Sequence, residues 1–185
     1  TLPAAPSIGG SSAVTSGWYA TNKAYLEFAH VLADISGEAI LPHFRKPRAV
    51  KNKAGGSGFD PVTAADKAAE RAIRKALVRR FPDHGLVGEE YGAIAGEGRY
   101  SWLVDPIDGT RAFVAGEETF AHSLAVARNG VVIAGVVYLP ALDRLYTASL
   151  TAPALRDGVA IAPSGRLDAD GATLLTSRPN DGTKS

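Results

Sequence analysis

The sequence predicts an α+β protein in which helices pack on a mainly antiparallel sheet. Three observations carry that expectation. Apolar residues recur at helical spacing over 21–44 and 63–80; two apolar runs flank Asn129-Gly130; and short apolar runs at 85–88 and 101–104 each lead into acidic residues. Helices first, then strands joined mostly by hairpins, is the order that produces helices layered on an antiparallel sheet.

The first helix is expected over 21–44, with Tyr25, Phe28, Ala29, Leu32, Ala39, Ile40 and Phe44 largely on one face. Thr21 or Asn22 caps it, and Pro42 ends or kinks it near Leu41. The stretch from Lys51 to Gly58 carries three glycines and two lysines without periodicity, so it is expected to be a mobile loop. A second helix opens at Thr63 and runs to about Arg80, with Ala65, Ala69, Ile73, Ala76 and Leu77 inward. Asp66 in its first turn suits the helix dipole, and Phe81-Pro82-Asp83 stops it.

Strands are expected at 85–88 and 101–104, delivering Glu89 and Asp105 from their C-terminal ends. The segment from Gly92 to Gly98 lacks the lysine of a phosphate-binding loop and reads as a turn. Residues 120–127 and 131–138 form a hairpin about Asn129-Gly130, since both turn positions favour positive φ. Further strands are expected at 145–148 and 173–176.

Composition narrows the function classes. At 185 residues the chain is one domain, or one plus a fragment, with apolar content sufficient for a sizeable core. A formal charge of +1 and the lack of basic runs interleaved with aromatics argue against a nucleic-acid polymer as partner. No cysteine is present, which excludes disulfides and thiolate metal sites. No apolar stretch approaches the roughly 20 residues that span a bilayer, so no membrane partner is expected. Residues 1–17, rich in Ala, Ser, Pro and Gly, read as a flexible arm rather than a signal peptide, and a cytoplasmic location is the default expectation.

The chemistry concentrates in Trp102-Leu103-Val104-Asp105-Pro106-Ile107-Asp108-Gly109-Thr110-Arg111-Ala112-Phe113. Two carboxylates stand three residues apart, proline stiffens the backbone between them, and glycine and a hydroxyl follow. Gly88-Glu89-Glu90 adds acid at the end of another apolar run. Oxygen-only ligands at strand ends suit Mg²⁺, which takes few carboxylates and completes its shell with water and substrate phosphate. Gly109 and Thr110 begin a short helical turn whose N–H groups are placed to meet a phosphate, and glycine tolerates the strained φ there.

Asp105-Pro106-Ile107-Asp108-Gly109-Thr110, with Gly88-Glu89-Glu90 and Asp60-Pro61-Val62-Thr63-Ala64-Ala65-Asp66 before it, resembles the inositol monophosphatase family of Mg²⁺-dependent, lithium-sensitive phosphatases. The match runs from about Thr21 to Pro179. The resemblance implies a layered α/β sandwich of the sugar-phosphatase type with the carboxy-terminal half absent. Residues 18–179 would form the amino-terminal phosphatase domain, and 180–185 a tail or the start of a missing second domain. The family's later Trp-Asp-x-Ala-Ala-Gly motif, which supplies a further aspartate ligand, does not occur in the sequence.

By the same resemblance, Glu89, Asp105 and the carbonyl of Ile107 hold one Mg²⁺, Asp105 bridges to a second, and Asp108 completes that side. Thr110 and Glu89 orient or activate the attacking water, and Asp66 supports this group and a third, weaker metal. Asp108, Gly109 and Thr110 meet the substrate. Lys51 or Lys53 is expected near the Asp66 side, in a register the sequence leaves open. The implied function is hydrolysis of a small phosphorylated metabolite (an inositol phosphate, histidinol phosphate or 3′-phosphoadenosine 5′-phosphate) by a homodimer.

Each assignment has a plainer rival. Asp105-Pro106 and Asp108-Gly109 also suit ordinary turns, Glu89-Glu90 a solvated pair, and Asp66 a first-turn helix acid. The four histidines, His30, His43, His84 and His122, show no ligand spacing and are expected to be structural. Trp102 and Phe113 are expected in the core. The alternative function is a catalytically weak metal- or phosphate-binding domain that lacks the carboxy-terminal aspartate.

Overall fold

The computed structural model describes residues 12–46, 51–52, 61–62, 64–166 and 170–171. Helix α1 spans Ser12–Ile40 and ends in a 3₁₀ turn over Leu41–His43, where Pro42 takes an early helical position that needs no N–H. Short strands β1 (Lys51–Asn52) and β2 (Pro61–Val62) pair antiparallel, and α2 follows over Ala64–Arg80. Strands β3 (Gly85–Gly88), β4 (Gly92–Ile94) and β5 (Tyr100–Asp108) lead to the one-and-a-half-turn helix α3 (Thr110–Ala115). Strands β6 (Ala121–Arg128), β7 (Val131–Leu139), β8 (Arg144–Ser149), β9 (Ala152–Arg156) and β10 (Val159–Ala160) follow among the described residues.

Eight strands form one sheet in the order β10-β9-β8-β7-β6-β5-β3-β4. Every neighbouring pair is antiparallel except β3 and β5, which run parallel. Helices α1 and α2 pack together on one face of the sheet, so the predicted α+β class is the observed one. Alternation along β5 shows the two faces: Trp102 and Val104 are buried under the helices, whereas Leu103 between them is 39% exposed on the other side. The core joins Tyr25, Ala29 and Leu32 of α1 with Ile73 and Leu77 of α2 and with Trp102. Trp102 donates its indole N–H to Nδ1 of His84 at 2.9 Å, which fixes that histidine as a structural acceptor.

Several expectations needed correction. Helix α1 starts at Ser12, so the part of the expected arm from Ser12 to Gly17 is helical. The loop expected from Lys51 contains β1, and the turn expected from Gly92 contains β4. Both strands are too short to show a period of two. Strand β5 runs past Val104 to Asp108, because pairing with β6 resumes after an irregularity. The Asn129-Gly130 hairpin is present with φ of 50° and 79°. A second such turn, Asp157-Gly158 with φ of 51° and 79°, joins β9 to β10. Thr63 and the strand expected at 173–176 lie outside the described residues.

Candidate functional site

The parallel pair positions the acids. Gly88 of β3 stands opposite Val104 of β5, so the next residues, Glu89 and Asp105, leave the same end of the sheet side by side. Between Asp105 and Asp108 the register against β6 slips: three steps on β5 face two on β6, from Ser123 to Ala121. This is a β-bulge, and Pro106 sits in it because a residue without an N–H loses nothing where the ladder is interrupted. The bulge re-aims the chain toward Gly109, whose φ of 80° is left-handed and suits glycine. Helix α3 then starts at Thr110.

An aromatic cluster fixes this turn from below. Phe113 of α3 meets Phe120 edge-on at 4.8 Å between centroids, and Phe44 contacts both, at 5.7 and 5.0 Å. Phe113 and Phe120 are fully buried with Ile107, Ala65 and Ala69. Burial of one such ring contributes about 1.5–3 kcal/mol. A single hydrogen bond within the turn nets only about 1 kcal/mol. Apolar packing therefore dominates in holding the loop. Phe113 and Trp102 are core residues, as expected.

Asp66 enters from the first turn of α2 and is 4% exposed. Asp66, Glu89 and Asp108 all lie near enough to Asp105 for their charges to act on it. Asp105 is half-buried, and its carboxyl is pushed up to about 7. Burial is the largest cause; the neighbouring Glu89 and Asp108 charges, a hydrogen bond with Glu89 and the Asp66 charge add to it. One oxygen, Asp105 Oδ1, is buried without a hydrogen-bond partner. The Thr110 hydroxyl donates to the Ile107 carbonyl at 3.0 Å, leaving its own lone pairs to accept. Among the described residues no three acidic or histidine side chains are drawn together closely enough to enclose an ion by themselves. The side chains of Lys51 and Lys53 lie outside the described residues.

The donor set fits a hard divalent cation on chemical grounds. All candidate ligands are oxygens, and an orphaned, buried carboxylate oxygen ringed by like charges is the situation that a cation relieves.

One residue with a part in the site escaped the sequence reading. Glu70, one helical turn after Asp66, is fully buried and hydrogen-bonded to the turn that carries Glu89. Its place beside Ala69 and Ile73 in the apolar stripe of α2 was the available signal. His122 on β6 is also fully buried, its ring beside the backbone of Asp105 and Pro106, and burial pushes its pKa down to about 4. Neither ring nitrogen closes a full hydrogen bond. A lone histidine in an alternating strand gives no sequence sign of this.

The inositol monophosphatase family model matches residues 21–185. The chain belongs to that family. The fructose-1,6-bisphosphatase/inositol-1-monophosphatase of Aquifex aeolicus is 37% identical over 124 residues, which are 67% of this chain and 47% of that protein. The histidinol-phosphatase of Chlorobaculum parvum is 36% identical over 152 residues, 81% of this chain and 57% of that one. Among solved structures, the extragenic suppressor protein SuhB of Bartonella henselae superposes with a TM-score of 0.73 at 31% identity, covering 77% of this chain and 55% of that one. The IMPase of Thermotoga maritima gives 0.69 at 36% identity, covering 76% and 54%. The fold expected from the resemblance is therefore the family fold. The chain spans about half the length of the curated relatives it matches.

Proposed function

We propose that the protein to which this chain belongs hydrolyses a small phosphate monoester with Mg²⁺. The observation that carries this is Asp105: a half-buried carboxyl with an unpartnered oxygen, raised to about 7 by burial and by Glu89 and Asp108, at the head of a glycine turn. Glu89, Asp105 and Asp108, with the Ile107 carbonyl, would hold the metal. When bound, Mg²⁺ supplies neutralisation of the phosphoryl oxygens and a lower pKa for the attacking water.

The chain's own residues do the rest. Thr110 spends its proton on Ile107, so its oxygen is available to accept from a water and orient it. Glu89 takes up the proton that the water gives up as its oxygen bonds to phosphorus and the ester P–O bond breaks, and the leaving alkoxide takes a proton from solvent to depart as the alcohol. Asp66 supports this group from α2. The N–H groups of Gly109 and Thr110 face the phosphate, which glycine lets approach closely. Relatives named for inositol-1-monophosphate and histidinol phosphate support those two ester classes as substrates; 3′-phosphoadenosine 5′-phosphate is the third candidate. A cytoplasmic homodimer completes the proposal.

The test is phosphate release from a panel of these monoesters with the full-length protein, with Mg²⁺ and then with added lithium. Metal-dependent, lithium-suppressed turnover is expected. Turnover unaffected by chelation would overturn the reading. One observation favours a second reading, a weak metal- or phosphate-binding domain: the described acids do not form a closed cage by themselves. Mg²⁺ binding without turnover on any ester would select it.

A further inference from the structure

We propose that Glu70 is a positioning residue for the metal centre: it fixes Glu89 through the backbone of the following turn. The inference rests on the metal-binding reading of Glu89 above. Glu70 lies on α2, and its side chain is fully buried. Its Oε2 accepts the Glu90 N–H at 2.6 Å, and its Oε1 accepts the Tyr91 N–H at 3.1 Å. Both donors belong to the turn that opens with Glu89 immediately after β3. On the opposite side Oε1 accepts Arg74 Nε at 2.7 Å, and Arg74 also donates to the Gly92 carbonyl. The Arg74 guanidinium further lies 5.8 Å from the centre of the Tyr91 ring. One buried carboxylate and its arginine thus clasp the turn at Glu90, Tyr91 and Gly92.

A buried carboxylate is costly unless its lone pairs are filled, and here charge-assisted bonds fill them. The clasp also explains Gly88. A Cβ at that position would lie 2.1 Å from Glu70 Oε1 and 2.5 Å from its Cδ, so the glycine before Glu89 is what lets the carboxylate reach the turn. Glu70 and Asp66 are one helical turn apart on α2, so the same helix supplies an acid to the centre and locks the loop bearing another. Removing the clasp frees the turn and loosens Glu89 against Asp105.

The test uses the full chain with Glu70→Gln, Arg74→Lys and Gly88→Ala. The glutamine puts an N–H₂ group against backbone donors, the lysine cannot reach both Glu70 and Gly92, and the alanine collides with Glu70. Mg²⁺ binding is measured by calorimetry without substrate, and phosphate release is measured against Mg²⁺ concentration. Variants are assayed well below their Tm, with circular dichroism confirming folding. Loss of an outer-sphere support of this kind typically weakens metal binding about 10–100-fold. The expected result is a rise of that size in Mg²⁺ half-saturation for Glu70→Gln and a smaller rise for Arg74→Lys, with substrate KM at saturating metal nearly unchanged. Gly88→Ala should have little further effect in a Glu70→Ala background. A lowered Tm with wild-type Mg²⁺ affinity in the folded Arg74→Lys and Glu70→Gln proteins would make the clasp merely structural and overturn the proposal. Failure of the wild-type protein to bind Mg²⁺ at all would instead overturn the metal reading beneath it.

Discussion

Replacing His122 with leucine removes a base that the fold holds neutral at the back of the acidic turn. His122 is fully buried on β6, and its pKa falls from 6.5 to about 4 in the folded protein. Between those values the unfolded chain binds a proton that the native state refuses. Stability therefore rises with pH across this window: the contribution is complete above about pH 6.5 and lost on descending to pH 4. A difference of roughly 2.5 units corresponds to about 3 kcal/mol. Asp105 acts in the opposite sense. Its folded pKa, about 7 against 3.8, makes the native state the better proton binder over much the same range, so its contribution weakens as pH rises toward 7. The wild-type curve without metal therefore combines two opposing slopes, and only a difference between proteins isolates one. Urea unfolding followed by tryptophan fluorescence, with chelator present, should be run at several pH values from 4 to 7.5 on wild type and His122→Leu, and on both again in an Asp105→Asn background. The wild-type minus variant stability should increase by about 3 kcal/mol from pH 4 to pH 7 in both backgrounds. A difference that stays flat with pH would show that His122 titrates in the fold as it does in the unfolded chain, and would refute the reasoning.

Three further outcomes follow from the site. Asp105→Asn should nearly abolish phosphate release in the full-length protein, since it removes the charge assigned between the cations; wild-type turnover would exclude the assigned ligand set. Thr110→Ala should lower kcat with little change in KM if the hydroxyl acts in the transition state. A pure KM effect in steady-state assays would confine Thr110 to substrate binding. Phe113→Ala should cost about 3–5 kcal/mol, because a fully buried ring leaves a cavity against Phe44 and Phe120. A Tm within a degree of wild type would mean the aromatic cluster does not hold α3.

What the sequence disclosed and what it hid divide along physical lines. Two amphipathic stripes, Asn129-Gly130 and the run to Asp105 were legible because each signal is local: periodicity, positive φ, a strand-end acid. The order β5-β3-β4 was not, because a parallel neighbour is chosen by packing under α2 rather than by any residue of β3. The acids of the candidate centre were readable from Gly88-Glu89-Glu90 and the segment Asp105 to Thr110. Glu70 was legible only in part: its place in the apolar stripe of α2 hinted at burial, but the segment it meets could not be read from the helix. The bulge at Pro106 was not read: proline marked a stiffened backbone between the two carboxylates, and only pairing with β6 showed the slip and the strand resuming beyond it.

The parallel seam between β3 and β5 has a mechanical corollary. Like charges at Glu89 and Asp105, one residue past the paired Gly88 and Val104, repel across that seam near one end. A doubly charged ion lodged between them would draw the two strands together there, so filling the centre and fastening the seam would be one effect.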